Sequence, residues 1–347
     1  MVKTNQKVQN EKQQPAVAKS ENGKTTSSPV SVFVTSAYSD KEPISSFVQA
    51  VKQHPATRHR LAEDAAAADI ILFVENSRYH KDRYFKQLLN HPLVQQYRHK
   101  AFMYNPHDTP WLVLPGLYPC ISKSIQDSRV IAGSPYIETV NPYVKCDFDH
   151  QPNFLFSFSG TPYRGVRSRV AKLKHPRAYI DAFAAMMYGE GRKVDTQLQY
   201  AELLINSKYV LCPKGIGPSS LRLFEVMHAG RVPVIISDKW VPPKGINWSE
   251  VAVFVAEKDV EQIPQILEAD EPQWEKKAKA ARAAWEQHFA PAVVFDYMVD
   301  QLSELENLRA YKMPLPLKIS HQKARVNFWF RFLRNRTKAV LKKAVKS

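Results

Sequence analysis

Three short apolar runs open the folded part of the chain: Val32 to Thr35, Ile70 to Val74 and Ala101 to Tyr104, separated by longer polar or helical-period stretches. Runs of this length without polar alternation predict strands buried on both faces, and the helical stretches between them predict parallel crossovers. From Pro106 to Pro152 the pattern breaks, with Pro110, Pro115, Gly116, Pro119, Pro135 and Pro142 giving the stretch the chemistry of loops. A second series follows at Phe154 to Ser159, Tyr209 to Cys212, Val232 to Ser237 and Ala252 to Val255. Helical patterns at Gln273 to His288 and Pro291 to Asn307 close the fold, with a break at Phe289 and Ala290. Pro291 suits the first turn of the second of these helices, where a missing N–H costs nothing. The fold class is α/β, the second half repeating the architecture of the first without repeating its sequence.

These boundaries divide the chain into a disordered arm (1–29), an N-terminal domain (30–150), a C-terminal domain (151–290), a closing helix (291–310) and a basic tail (311–347). The arm is rich in Lys, Gln, Asn, Ser and Glu and has too few large apolar side chains to offset the entropy of ordering. The formal charge of +16 is uneven: residues 311–347 hold eleven Lys and Arg and no Asp or Glu, and residues 1–30 add a net +3, which leaves only about +2 for residues 31–310. A nucleic-acid enzyme carries its basic charge over the folded surface that tracks phosphates, so nucleic acid is not the expected partner. Cys120, Cys146 and Cys212 are widely spaced and form no Cys-x-x-Cys pair, which fits a reducing compartment. No apolar run approaches the roughly 20 residues of a spanning helix, and a cytoplasmic location is the expectation.

The informative stretch runs from Tyr209 to Ser237 as strand, glycine loop, helix and strand. Gly215 and Gly217 let the backbone turn and approach a ligand, and Ser219 or Ser220 is placed to cap a helix that ends at Gly230. Backbone N–H groups at that helix start, with Lys214 beside them, predict an anion site. The loop lacks the Gly-Lys-Ser/Thr of a Walker A motif. Arg222 and Glu225, three apart, share a helix face, either as a plain ion pair or as ligands for an anion and for hydroxyls.

An ordered string of motifs gives the stretch more meaning. Ser157-Phe-Ser-Gly160, Tyr163 and Arg167, then Cys212-Pro-Lys-Gly215, Ser220, Arg222, Glu225, Pro233-Val234, Ser237, Trp240 and Ile246-Asn-Trp248 resemble the exostosin family of glycosyltransferases. The resemblance spans roughly Phe154 to Leu267. It implies a GT-B fold, two Rossmann-like domains facing a cleft, with a nucleotide-sugar donor held by the C-terminal domain. It implies transfer with inversion, no cofactor and no required metal, and UDP as the expected carrier with GDP as the alternative. Glu225 would take the ribose hydroxyls. Lys214, Ser219, Ser220 and Arg222 would face the diphosphate or base. Arg167, with Arg164 as its alternative, would reach the same phosphates from the Ser159 to Arg169 loop.

Inversion needs a base opposite the leaving group. Candidates on the N-terminal side are Glu75, at the end of the Ile70 to Val74 run, and His107-Asp108 in the loop after the next strand, because ligands bind at such strand ends; an ordinary loop or capping role stands beside each. The family often has an Asp-His pair in a comparable region, and here the order is reversed. Asp147-Phe148-Asp149 has the spacing of a cation site but lies where a turn between domains is expected. In the tail, Val326, Trp329, Phe330, Leu333, Val340, Leu341 and Ala344 form a helical apolar stripe with Lys and Arg largely outside it. That predicts a basic amphipathic helix over 326–346, for an anionic membrane surface or for packing on the body. The reading is a glycosyltransferase acting on a polysaccharide or glycolipid, peripheral to the inner face of the membrane. A non-catalytic nucleotide- or sugar-binding protein of the same fold is the alternative.

Overall fold

The computed structural model describes residues 28–38, 42–54, 58–75, 82, 85–137, 141–162, 165–182 and 194–306. Most of the N-terminal arm, the basic tail, Tyr163 and Arg164 lie outside the described residues.

Two parallel sheets form the frame. The first contains β1 (Ser31–Thr35), β2 (Arg60–Leu61), β3 (Ile70–Val74), β4 (Ala101–Tyr104), β5 (Gly116–Leu117) and β6 (Ile131–Ala132), in the order β2-β1-β3-β4-β5-β6. The second contains β7 (Phe154–Ser159), β8 (Ala178–Asp181), β9 (Ser207–Pro213), β10 (Val232–Ile236) and β11 (Val253–Phe254), in the order β11-β10-β9-β7-β8. The chain changes sheets between Ala132 and Phe154. Two Rossmann-like layers result, the arrangement expected of a GT-B protein.

Burial explains why the strands read as unbroken apolar runs. Along β3, Ile70, Leu72 and Val74 enter one core while Ile71 and Phe73 enter another on the opposite face. Along β9, Val210 and Cys212 share the first core with β3, whereas Tyr209 and Leu211 enter a third. One apolar core thus runs through the faces that the two sheets turn toward each other.

The Pro-rich stretch after β4 is more regular than its composition suggests. Its expected loop contains β5 and β6, which extend the first sheet by two strands of two residues each. Gly116 makes this close pairing feasible, since a Cβ there would stand 1.9 Å from the Met103 carbonyl oxygen. Prolines on either side of so short a strand leave its two ladder positions free.

After the second sheet come α8 (Ile263–Asp270) and α9 (Trp274–His288), and α10 (Val294–Ser303) then returns to the first domain. The Arg58 and His59 N–H groups donate to the Asp296 carboxylate at 3.2 and 3.0 Å, and Asp300 pairs with Arg58 and with His59 Nε2. Phe295 meets Phe47 of α1 (Glu42–Gln53) edge to face at 6.2 Å. Pro291 lies in the turn ahead of this helix rather than in its first turn: the Val293 and Val294 N–H groups close that turn on the Ala290 carbonyl at 2.9 and 3.0 Å, and the helix begins at Val294.

Candidate active site

The C-terminal ends of both sheets meet at a seam. Ser122 after β5 and Trp240 after β10 form an antiparallel bridge, flanked by Lys123 N–H to the Lys239 carbonyl at 2.8 Å and Val241 N–H to the Ile121 carbonyl at 3.3 Å. The loop after β9 packs there too: a Cβ on Gly217 would stand 2.0 Å from the Asp108 carbonyl oxygen and 2.6 Å from Cys120 Sγ. The close approach that Gly217 permits is therefore to the other domain, in addition to any ligand.

Gly215, two residues earlier, faces Arg167, whose Nη2 would lie 3.3 Å from a Cβ at that position. Arg167, in α4 (Val166–Val170), donates from Nε to the Lys214 carbonyl at 3.0 Å. The structure thus brings Arg167 to the glycine loop. Lys214 turns its ammonium to Glu257 at 2.5 Å. Glu257 also accepts from the Asp238 N–H at 3.2 Å, while its own N–H donates to Asp238 at 2.9 Å. The sequence reading missed Glu257, which lies outside the motif string at the start of the short helix after β11.

The helix expected to start at Ser219 or Ser220 is α6 (Arg222–His228), with Leu221 at its N-cap and no side-chain cap. Neither serine caps it, because the backbone at Leu221 is already helical and the turn is closed by Leu223 N–H bonding to the Ser220 carbonyl at 3.1 Å. Its C-terminal end is as expected: Gly230 at φ +65° carries the left-handed turn, and Arg231 N–H reaches back to the Val226 carbonyl.

Arg222 and Glu225 are both buried. Arg222 donates from Nη2 to the Ser159 carbonyl at 2.6 Å and lies over the Phe158 ring at 5.0 Å. Gly160 makes this crossing feasible, since a Cβ there would be 2.8 Å from Arg222 Nη2. Glu225 accepts from Tyr200 of α5 (Val194–Ile205) at 3.2 Å. The two side chains thus tie α6 to different elements. Cys212 lies among Arg222, Glu225 and Arg167, and burial pushes its thiol up to about 12.

On the facing domain the candidates separate. Glu75 ends β3 and is 2% exposed; its carboxylate accepts from Ala37 N–H at 2.8 Å and from the Ser36 hydroxyl at 3.0 Å. Burial pushes it up to about 7 against these two bonds. His107 closes a tight turn: its N–H donates to Asn105, and its Nδ1 accepts from Thr109 N–H at 3.1 Å, which leaves the neutral ring's proton on Nε2. Asp108 is half-buried and stands at the seam. Asp147 serves a turn, its Oδ1 accepting from the N–H groups of Asp149 and His150, both at 3.0 Å. That turn lies beside Gly230, at the opposite end of α6 from the glycine loop.

The Exostosin GT47 domain model matches residues 36–269, two thirds of the chain, with every strand of both sheets except β1. The chain belongs to the Exostosin GT47 glycosyltransferase family. Among its relatives, the Exostosin-1 homolog of Caenorhabditis elegans is 44% identical over 71 residues, which is 20% of this chain and 19% of that protein. Exostosin-1 of Drosophila melanogaster is 30% identical over 140 residues, 35% of this chain and 18% of that protein. The matched segments span about a fifth of the length of these relatives. Among solved structures, that of Anabaena Alr3699/HepE in complex with UDP is 11% identical, covers 80% of this chain and all of that one, and has a TM-score of 0.38.

Within this GT47 chain, two further side chains at the seam escaped the sequence reading. In sequence Cys120 is only an isolated cysteine, and Tyr136 lies in the proline-rich stretch from Pro106 to Pro152. Cys120 Sγ lies 3.0 Å from the Tyr136 hydroxyl and 3.8 Å from Asp108 Oδ1. No spacing links residues 108, 120 and 136 in sequence; only the ordering of β4, β5 and β6 side by side does so.

Proposed function

We propose that this protein transfers a sugar, with inversion and without a required metal, from a nucleotide-sugar to a glycan or glycolipid acceptor, with UDP as the expected carrier. The observation that carries the reading is the convergence of Arg167, Arg222, Glu225 and the Lys214–Gly217 loop at strand ends that face Asp108 across the seam. Family membership supports the reaction class.

The chemistry follows from charge. As the bond between sugar and diphosphate breaks, negative charge grows on the leaving group, and fixed guanidinium and backbone N–H groups stabilise it more in the transition state than in the ground state. Arg167 and Arg222 are the cations assigned to that task, with Lys214 joining them where the diphosphate displaces Glu257. Glu225, held by Tyr200, receives ribose hydroxyls. Asp108 is the base assigned to the acceptor hydroxyl, because it faces the donor loop; Glu75 is enclosed by Ser36 and Ala37 and organises the neighbouring strand ends. His107, through the Nε2 proton, is placed to orient an acceptor oxygen.

The basic 326–346 segment supports a lipid-linked or membrane-proximal acceptor at an anionic cytoplasmic surface, with attraction of about 1 kcal/mol per basic residue near the headgroups. Among the described residues no helix is long and apolar enough to cross a membrane.

Thermal stabilisation by UDP, GDP and a panel of UDP-sugars, each with and without EDTA, tests the donor site, since a ligand that binds the native state raises its apparent stability. Stabilisation by one nucleotide regardless of EDTA, with acceptor-dependent release of the nucleoside diphosphate, is the expected outcome. Stabilisation without turnover would leave a binding protein, and loss of the shift in EDTA would overturn the metal-free route.

A further inference from the structure

Cys120 lies inside the seam, where groups of both domains approach it. Its sulfur touches Tyr136 and Asp108 of its own domain, and the Ser219 backbone N–H from the donor loop faces it. Gly217 leaves room for the approach. The partly buried Tyr136 packs edge to face on Phe224 of α6 at 6.1 Å, and the Ser219 hydroxyl stands beside its oxygen.

The protons in this cluster have one direction available. Burial pushes the Cys120 thiol up to about 12 and the Tyr136 phenol well above its ordinary range, so both stay protonated near neutrality and act as donors. The Asp108 carboxylate is an acceptor only. Cys120 S–H therefore points to Asp108, and the Tyr136 O–H donates to the Cys120 sulfur. A chain of donors runs from Tyr136 through Cys120 to the Asp108 carboxylate, packed against the glycine loop of the other domain.

We infer that Tyr136 is a positioning residue, which through the Cys120 thiol fixes the Asp108 carboxylate against the donor loop. The inference rests on the role proposed above for Asp108. It adds that the orientation of the base depends on a hydrogen-bond chain packed against the loop that seats the donor.

The test is steady-state turnover and nucleotide-induced thermal stabilisation for the full chain and its Tyr136→Phe, Cys120→Ala, Cys120→Ser and Asp108→Asn variants. Tyr136→Phe and Cys120→Ala are expected to lower kcat by about 10- to 100-fold, the scale of a misplaced catalytic group, with the stabilising effect of the nucleotide retained. Cys120→Ser, which keeps a donor, is expected to recover much of the rate. In an Asp108→Asn background Tyr136→Phe is expected to have no further effect. A general packing role would instead lower stability and donor binding together, without rescue by serine, and would overturn the inference. Full kcat in Tyr136→Phe and Cys120→Ala beside an inactive Asp108→Asn would also overturn it, while leaving the proposed reaction intact. A wild-type chain that neither binds nucleotide nor turns over would overturn both.

Discussion

The two domains share an architecture but distribute their chemistry differently. In the C-terminal domain, Lys214, Gly215, Gly217, Arg222 and Glu225 fall within twelve consecutive residues of one strand-loop-helix unit. Its backbone path alone brings them to one strand end, and only Arg167 and Gly160 come from a second strand's loop. In the N-terminal domain, Glu75, Asp108, Cys120 and Tyr136 follow β3, β4, β5 and β6 separately; the last three reach the seam because their strands lie side by side, while Glu75 stays enclosed by Ser36 and Ala37. Binding an anion needs clustered N–H groups and cations, which one turn of chain can supply. Holding an acceptor opposite that anion needs groups converging from several directions, which one turn cannot.

The sharpest break of this comparison is Asp108→Asn. Loss of a general base lowers rate by about 100- to 10,000-fold, so kcat measured with saturating donor should collapse while nucleotide-induced stabilisation persists. Equal activity in this variant would move the base elsewhere on the N-terminal domain. Glu225→Ala should do the opposite. Removing hydrogen bonds to a charged group is worth about 1.5 to 3 kcal/mol, so nucleotide Kd should rise about 10- to 100-fold with the fold retained; unchanged binding in a folded variant would remove Glu225 from the donor site.

Gly217→Ala sits between the two domains and sharpens the boundary. Its Cβ would meet the backbone of Asp108, which has no flexible end to move aside. Overpacking of this kind costs about 1 to 3 kcal/mol, and a lowered Tm with turnover reduced more than donor binding is expected. An unchanged Tm would show that the loops do not touch as described.

Glu75→Gln gives the smallest and most specific effect. The folded-state value near 7 lies above the ordinary 4.5, so the folded protein holds this proton more tightly than the unfolded chain within that interval. The resulting stability is fully present below about 4.5 and is lost as pH rises through about 7. Wild-type Tm should therefore carry a declining component over that window that Glu75→Gln lacks. Parallel pH profiles for the two proteins would show that burial does not hold the proton on Glu75.

How much was legible follows the same division. Val232 to Ser237 and Ile70 to Val74 read as strands because both faces are buried, and the first proves one residue shorter, ending at Ile236. Gly230 read as a helix end because its left-handed backbone is a local requirement. Gly116 and Ile131 were hidden in proline-rich sequence, since a two-residue strand has no period. Ser219 and Ser220 had the chemistry of caps, yet the helix begins at Arg222 because Leu221 has already entered the helical region. Glu257 was invisible because its partner Lys214 lies 43 residues away.

The sequence alone determined what depends on neighbours along the chain: the alternation of buried strands and helices, the neutrality of the body beside a basic tail, and the glycine loop with its cations. Tertiary structure decided what depends on strand order and domain contact: that Gly217 makes room for Asp108, that α10 returns to the first domain through Asp296 and Asp300, and that Cys120 and Tyr136 join the carboxylate. Side-chain type and spacing are local quantities, whereas the distance between two strand ends is set by the packing of everything between them.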